Sequence, residues 1–72
     1  MVVKISLSLD ANDWQIMPYA MAEKVGKEIR ACIDDSILLG ENKTEFITSQ
    51  GSLHDFSGNI IGEVLIEEDK DA

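Results

Sequence analysis

The chain has 72 residues, 14 Asp and Glu against six Lys and Arg, a net charge of −8, and 44% hydrophobic residues. That length makes one domain with a small core, because at this size only about 60% of the unfolded surface is buried on folding. A single cysteine, Cys32, excludes an internal disulfide, a single histidine, His54, leaves a Cys/His zinc site short of ligands, and the acidic balance opposes direct binding to DNA or RNA.

Val2 to Leu9 predicts the first strand. Val3, Ile5, Leu7 and Leu9 point to one face, and Val2, Lys4, Ser6 and Ser8 to the other. This alternation differs from the continuous apolar run of a signal peptide, so a cytoplasmic protein is expected. No stretch approaches the roughly 20 apolar residues of a membrane span. Asp10 to Asp13 supply turn and cap residues, with Asn12 or Asp13 as the side chain expected to cap the next element. Pro18 removes a donor and crowds the preceding turn, which sets Trp14 to Met17 apart and starts the regular helix near Pro18.

From Tyr19 to Leu39 the residues Met21, Ala22, Val25, Ile29, Cys32, Ile33 and Ile37 form one apolar stripe, with Gly40 as the expected C-terminal cap. Three ion pairs spaced four apart are expected on the exposed side, Glu23 with Lys27, Lys24 with Glu28 and Arg30 with Asp34. Gly26 weakens the helix and marks a place where another backbone is expected to come close. Asn42-Lys43-Thr44 matches a glycosylation sequon but reads as a turn leading into a strand.

Asp55-Phe56-Ser57-Gly58-Asn59 has the residues of a type I turn followed by a bulge, which predicts a hairpin. Setting Asp55 opposite Asn59 places Leu53 opposite Ile61, Ser52 opposite Gly62, Ser49 opposite Leu65 and Thr48 opposite Ile66. A split of the first arm at Gln50-Gly51 is the alternative. The expected fold is α+β in the order β-α-β-β, one amphipathic helix packed on a three-stranded sheet that ends in a β-hairpin. Residues 1–66 form the domain, and 67–72 an acidic tail.

The last strand is apolar on both faces, with Ile60, Val64 and Ile66 on one and Ile61 and Leu65 on the other. One helix covers one face. Ile61, Leu65, Leu53 and Ile47 are therefore the expected self-association residues, giving a homodimer or larger oligomer.

No catalytic residues, metal ligands or cofactor are assigned. Cys32 and His54, with Asp55, name the parts of a cysteine hydrolase, but Cys32 lies on the apolar stripe, where free cysteine behaves as a small hydrophobe. Asp55, Ser57 and Asn59 alternate like the first ligands of a calcium loop, yet Ile60 stands where that loop needs Gly and Ile66 where it needs Glu. Lys24, Lys27 and Arg30 are interleaved with Glu23 and Glu28, so they make no basic footprint for nucleic acid.

The acids gather in two groups, Asp34, Asp35, Glu41 and Glu45 in one, and Glu63, Glu67, Glu68, Asp69 and Asp71 in the other. Asp34 and Asp35 sit where the helix dipole disfavours negative charge. The sequence thus suggests a non-enzymatic binding protein whose contact residues are Asp34, Asp35, Glu41, Glu45, Glu63, Glu67 and Glu68. Its expected partner is a basic, nucleic-acid-binding protein that it inhibits or regulates, in the manner of a phage or mobile-element inhibitor. The alternative is an assembly module that works through the apolar sheet face.

Overall fold

The structure is a computed structural model and describes residues 1–69. Residues 70–72, Asp71 included, lie outside the described residues, whereas Glu67, expected to open the acidic tail, is the last residue of the final strand. β1 (Val2–Leu7) leads through α1 (Asn12–Ile16) into α2 (Pro18–Asp35), followed by β2 (Ile37–Leu39), β3 (Thr44–Phe46), β4 (Ser49–His54) and β5 (Ile60–Glu67). β1, β5 and β4 form an antiparallel sheet in that spatial order, and β2 with β3 forms a separate two-stranded hairpin. The fold is α+β, with the long helix on the three-stranded sheet.

The expected break at Pro18 is present. α1 closes with the Met17 N–H on the Asp13 carbonyl at 2.9 Å, and Pro18 opens α2 at its first position, where no N–H is required. Neither Asn12 nor Asp13 caps α1, whose N-cap is Ala11 without a side-chain hydrogen bond. Asp13 instead reaches across the fold, its Oδ2 accepting the Phe56 N–H at 3.0 Å.

The stripe on α2 buries Met21, Val25 and Cys32, with Ile29 and Ile33 half-buried against the core. Ile37 is not part of it. The helix stops at Asp35 because the buried Ser36 turns its hydroxyl back to donate to the Ile33 carbonyl at 2.7 Å, while its own carbonyl accepts the Ile47 N–H at 2.8 Å. Ile37 to Leu39 then pair with Thr44 to Phe46, and Gly40 serves the hairpin, its N–H donating to the Lys43 carbonyl at 2.9 Å. All six strand residues of this hairpin are exposed, so it projects from the body of the domain.

All three ion pairs on α2 form, at 3.2 Å for Lys27–Glu23, 3.1 Å for Lys24–Glu28 and 3.7 Å for Arg30–Asp34. Gly26 departs from expectation: a Cβ built there meets nothing within 4 Å. The close backbone approach is at Gly62, against Ser6 and Leu7 of β1, while α2 meets the sheet in ordinary contact at Gly51, whose Cβ would lie 3.5 Å from the Cys32 sulfur. Gly26→Ala is therefore expected to stabilise the protein by about 0.5–1 kcal/mol through helix propensity alone, read as a raised midpoint of urea unfolding. A fall in the midpoint would mean that Gly26 is packed after all.

The Asp55–Asn59 turn forms, with the Asp55 N–H on the Asn59 carbonyl at 3.0 Å and Gly58 at φ +86°, a conformation that favours glycine. β4 is continuous across Gln50 and Gly51. The register differs from the simple expectation by one residue. Leu53 lies opposite Gly62, Ser52 opposite Glu63 and Ser49 opposite Ile66, while His54 lies opposite Ile60, which leaves Ile61 as the extra residue of a bulge. Without the bulge, Leu53, Gly51 and Ser49 would share a face with Ile61, Glu63 and Leu65. With it, they share a face with Gly62, Val64 and Ile66, and Glu63 is kept off the helix side.

The core is Val25, Cys32, Leu53, Val64 and Ile66, flanked by Leu7, Trp14, Ile29, Ile33 and Ile61. Leu53 is 1% exposed, so its expected place on an open apolar face is corrected by the bulge. Ile60, at 70% exposure, lies outside the core that Val64 and Ile66 enter.

Candidate functional site

Antiparallel pairing sets residues that lie directly opposite on a common face. Val3 is opposite Ile66, Ile5 opposite Val64 and Leu7 opposite Gly62, so the apolar side of β1 faces the same way as the buried residues of β5. Val64 and Ile66 are nevertheless buried, whereas Val3 is 45% and Ile5 50% exposed. The reason is geometric. A helix about 10 Å across cannot cover three strands spaced about 4.8 Å apart together with their side chains. α2 lies over β4 and touches β5, which leaves the β1 side of its own face open.

At one end of this open strip lies a cleft of about 280 Å³, lined by Met1, Val3, Ile33, Ser36, Phe46 and Ile66. Its walls come from β1, the end of α2 and the projecting hairpin. Met1 and Phe46 are themselves exposed. One uncovered apolar strip thus lies on the helix side of the sheet, at its β1 edge, and its residues Val3, Ile5, Met1 and Phe46 are not among the expected self-association residues; Tyr19, Leu39 and Ile60 are exposed elsewhere. The width of one helix against three strands signalled that a strand would be left open, but the sequence held nothing to say which.

The residues of the expected set are dispersed. Leu53 is in the core, and Ile61, half-buried at the bulge, packs against it. Leu65 is half-buried on the face away from the helix, between Lys4 of β1 and Gln50 of β4. Ile47 is exposed in the connection between β3 and β4.

Of the first acidic group, Asp34 pairs with Arg30, and Glu45 pairs with Lys43 at 3.0 Å. Asp35 ends α2, and Glu41 lies in the turn of the projecting hairpin. In the second group, Glu67 pairs with Lys4 at 2.6 Å. Glu63 is exposed on the face away from the helix, between Ser6 and Ser52, and Glu68 follows β5. Among the described residues, no basic side chain pairs with Asp35, Glu41 or Glu63.

Cys32 and His54 are each engaged elsewhere. The thiol lies 3.6 Å from Ser49 Oγ, while His54 Nδ1 is 2.8 Å from Glu28 Oε2 and the His54 N–H donates to Glu28 Oε1 at 3.2 Å. Burial by itself would raise the Glu28 carboxyl, but hydrogen bonds from the His54 ring, Lys24 and the His54 amide outweigh it and hold the pKa below its ordinary value. Asp55 follows the same pattern. Desolvation opposes its charge, yet hydrogen bonds from the Asn59 amide and side chain and from the Ser57 and Gly58 amides lower its pKa. These bonds use its oxygens to build the turn, with Oδ1 accepting Asn59 N–H at 2.8 Å and Ser57 N–H at 3.0 Å.

Both carboxyls are depressed in the folded state, so each contributes stability that is present above its unfolded pKa and lost as pH falls through its folded pKa. The midpoint of thermal unfolding is accordingly expected to drop as pH goes below about 4. Asp55→Asn is expected to lower the midpoint at neutral pH and flatten the acid limb, since its amide oxygen retains only part of the turn. An acid limb unchanged in Asp55→Asn would remove Asp55 from this account.

Among the described residues no helix is long and apolar enough to cross a membrane. Comparisons with protein-family models, curated proteins and solved structures give no match to the chain.

Proposed function

We propose that the protein is a small non-enzymatic interaction module that docks another polypeptide along the open edge of β1. The observation that carries this reading is the half-exposure of Val3 and Ile5 on the same face whose neighbours Val64 and Ile66 are buried. A marginal domain gains from covering such a strip, and an apolar edge strand left open is a template for pairing. A second reading, docking of a basic protein such as a nucleic-acid-binding one for inhibition, is favoured because, among the described residues, no basic side chain pairs with Asp35, Glu41 or Glu63. In that case the acids steer the encounter and the contact weakens with salt.

One experiment separates the two. Tagged wild-type protein, Ile5→Lys, and a charge-reversed Asp35→Lys/Glu41→Lys protein are used to capture binders at low and high salt. The edge reading expects binding to be lost in Ile5→Lys and kept in the charge-reversed protein. Binding insensitive to Ile5→Lys, but released by salt and lost on charge reversal, would replace it with the acidic reading.

A further inference from the structure

The outward backbone groups of β1 can be assigned. The Ser8 N–H donates to the Ile61 carbonyl at 2.8 Å, continuing the β1–β5 ladder by one step. In an antiparallel ladder the hydrogen-bonded pairs alternate. Ser6, Lys4 and Val2 therefore direct their N–H and C=O groups to β5, and Leu7, Ile5 and Val3 direct theirs to the free edge. The opposite edge of the sheet is partly closed, because Glu28 accepts the His54 N–H there. Among the described residues β1 is the more open of the two edges.

We infer that the occupant of this edge is a second copy of the chain, paired antiparallel through β1 with Ile5 on the two-fold axis, an inference that rests on the edge reading above. Three features select this partner and register. In it Ile5 faces Ile5 of the other copy, and Val3 faces Leu7, so every outward N–H and C=O from Val3 to Leu7 meets a complementary group. Residues directly opposite share a face, so the row Gly51, Val64, Ile5 continues into Ile5, Val64, Gly51 of the second copy, and two open apolar strips become one covered strip.

The third feature is charge. This register sets Lys4, which also pairs with Glu67 of its own chain, opposite Ser6 of the other copy, whose own neighbour on β5 is Glu63. Two strand spacings, about 10 Å, separate the Lys4 and Glu63 backbones, within reach of the two side chains. Sliding the pairing by two residues, to centre it on Lys4, would instead put Lys4 directly against Lys4 of the other copy. The result is a continuous six-stranded sheet with both helices on one side. A stable interface buries about 800 Å² on each partner, more than one short strand provides, so the dimer is expected to dissociate on dilution in the micromolar range.

The test uses cysteine placement together with sedimentation equilibrium from about 1 µM to about 1 mM. Two residues facing each other in a hydrogen-bonded pair have Cα atoms about 5.5 Å apart, within disulfide range. Ile5→Cys is therefore expected to form a symmetric disulfide dimer on mild oxidation. Val3→Cys is not, because the two copies of position 3 lie about 14 Å apart in this register. Cys32 is buried and common to both variants. In the unmodified background Ile5→Lys is expected to weaken self-association about tenfold or more while leaving the circular dichroism spectrum unchanged. A chain that stays monomeric throughout, or that cross-links as readily through Val3→Cys, overturns the inference. If the monomer still loses its captured binders on Ile5→Lys, the edge reading stands without self-pairing, and a dimer indifferent to every β1 variant overturns both.

Discussion

Gly62→Ala is expected to cost about 3 kcal/mol, most of the roughly 5 kcal/mol a domain of this size holds. A Cβ added at Gly62 would overlap the Ser6 carbonyl oxygen and sit 3.0 Å from Leu7 Cα, both backbone atoms of β1. No side chain can move aside to admit it. The strands must separate at this point, which is next to the bulge that fixes the β4–β5 register. Hydrogen exchange gives the sharper reading. The amides of Lys4, Ser6 and Ser8 point at β5, so their protection is expected to fall more than that of β4. Protection of these amides equal to wild type, with an unchanged urea midpoint, would show that the strands do not approach this closely. Because the outward edge of β1 is the proposed contact surface, the same substitution is expected to weaken self-association.

Leu53→Ala is expected to destabilise by about 3 kcal/mol, from lost burial plus the cavity left among Val25, Cys32, Val64 and Ile66. Ile60→Ala, on the same hairpin, is expected to change stability by no more than about 0.5 kcal/mol because its side chain is mostly in water. The contrast tests the bulge. In the unshifted register Leu53 would face solvent and the cost of its truncation would be small. A small effect at Leu53 on the denaturant midpoint would therefore contradict the observed pairing.

What the sequence determined by itself was whatever is set within a few residues. The alternation of β1, which ends at Leu7 and leaves Leu9 exposed outside the strand, the stripe Met21, Val25, Cys32, the break at Pro18, the ion pairs spaced four apart and the Asp55–Asn59 turn all depend on local backbone geometry, and all are present. Where two local preferences competed, the tertiary structure decided. Ile37 to Leu39 continue the helical stripe and also suit a strand; Ser36 ends the helix, and pairing with Thr44 to Phe46 completes the choice. The hairpin turn alone placed Leu53 opposite Ile61, but burying Leu53 beside Val64 while keeping Glu63 out required an extra residue at Ile61. The candidate site was the least legible part. Val3 and Ile5 have the pattern of buried residues, and they are open only because one helix is narrower than three strands and seats over β4. That placement arises from contacts between residues far apart in the chain, Cys32 against Gly51 and Glu28 against His54, and no local pattern records it.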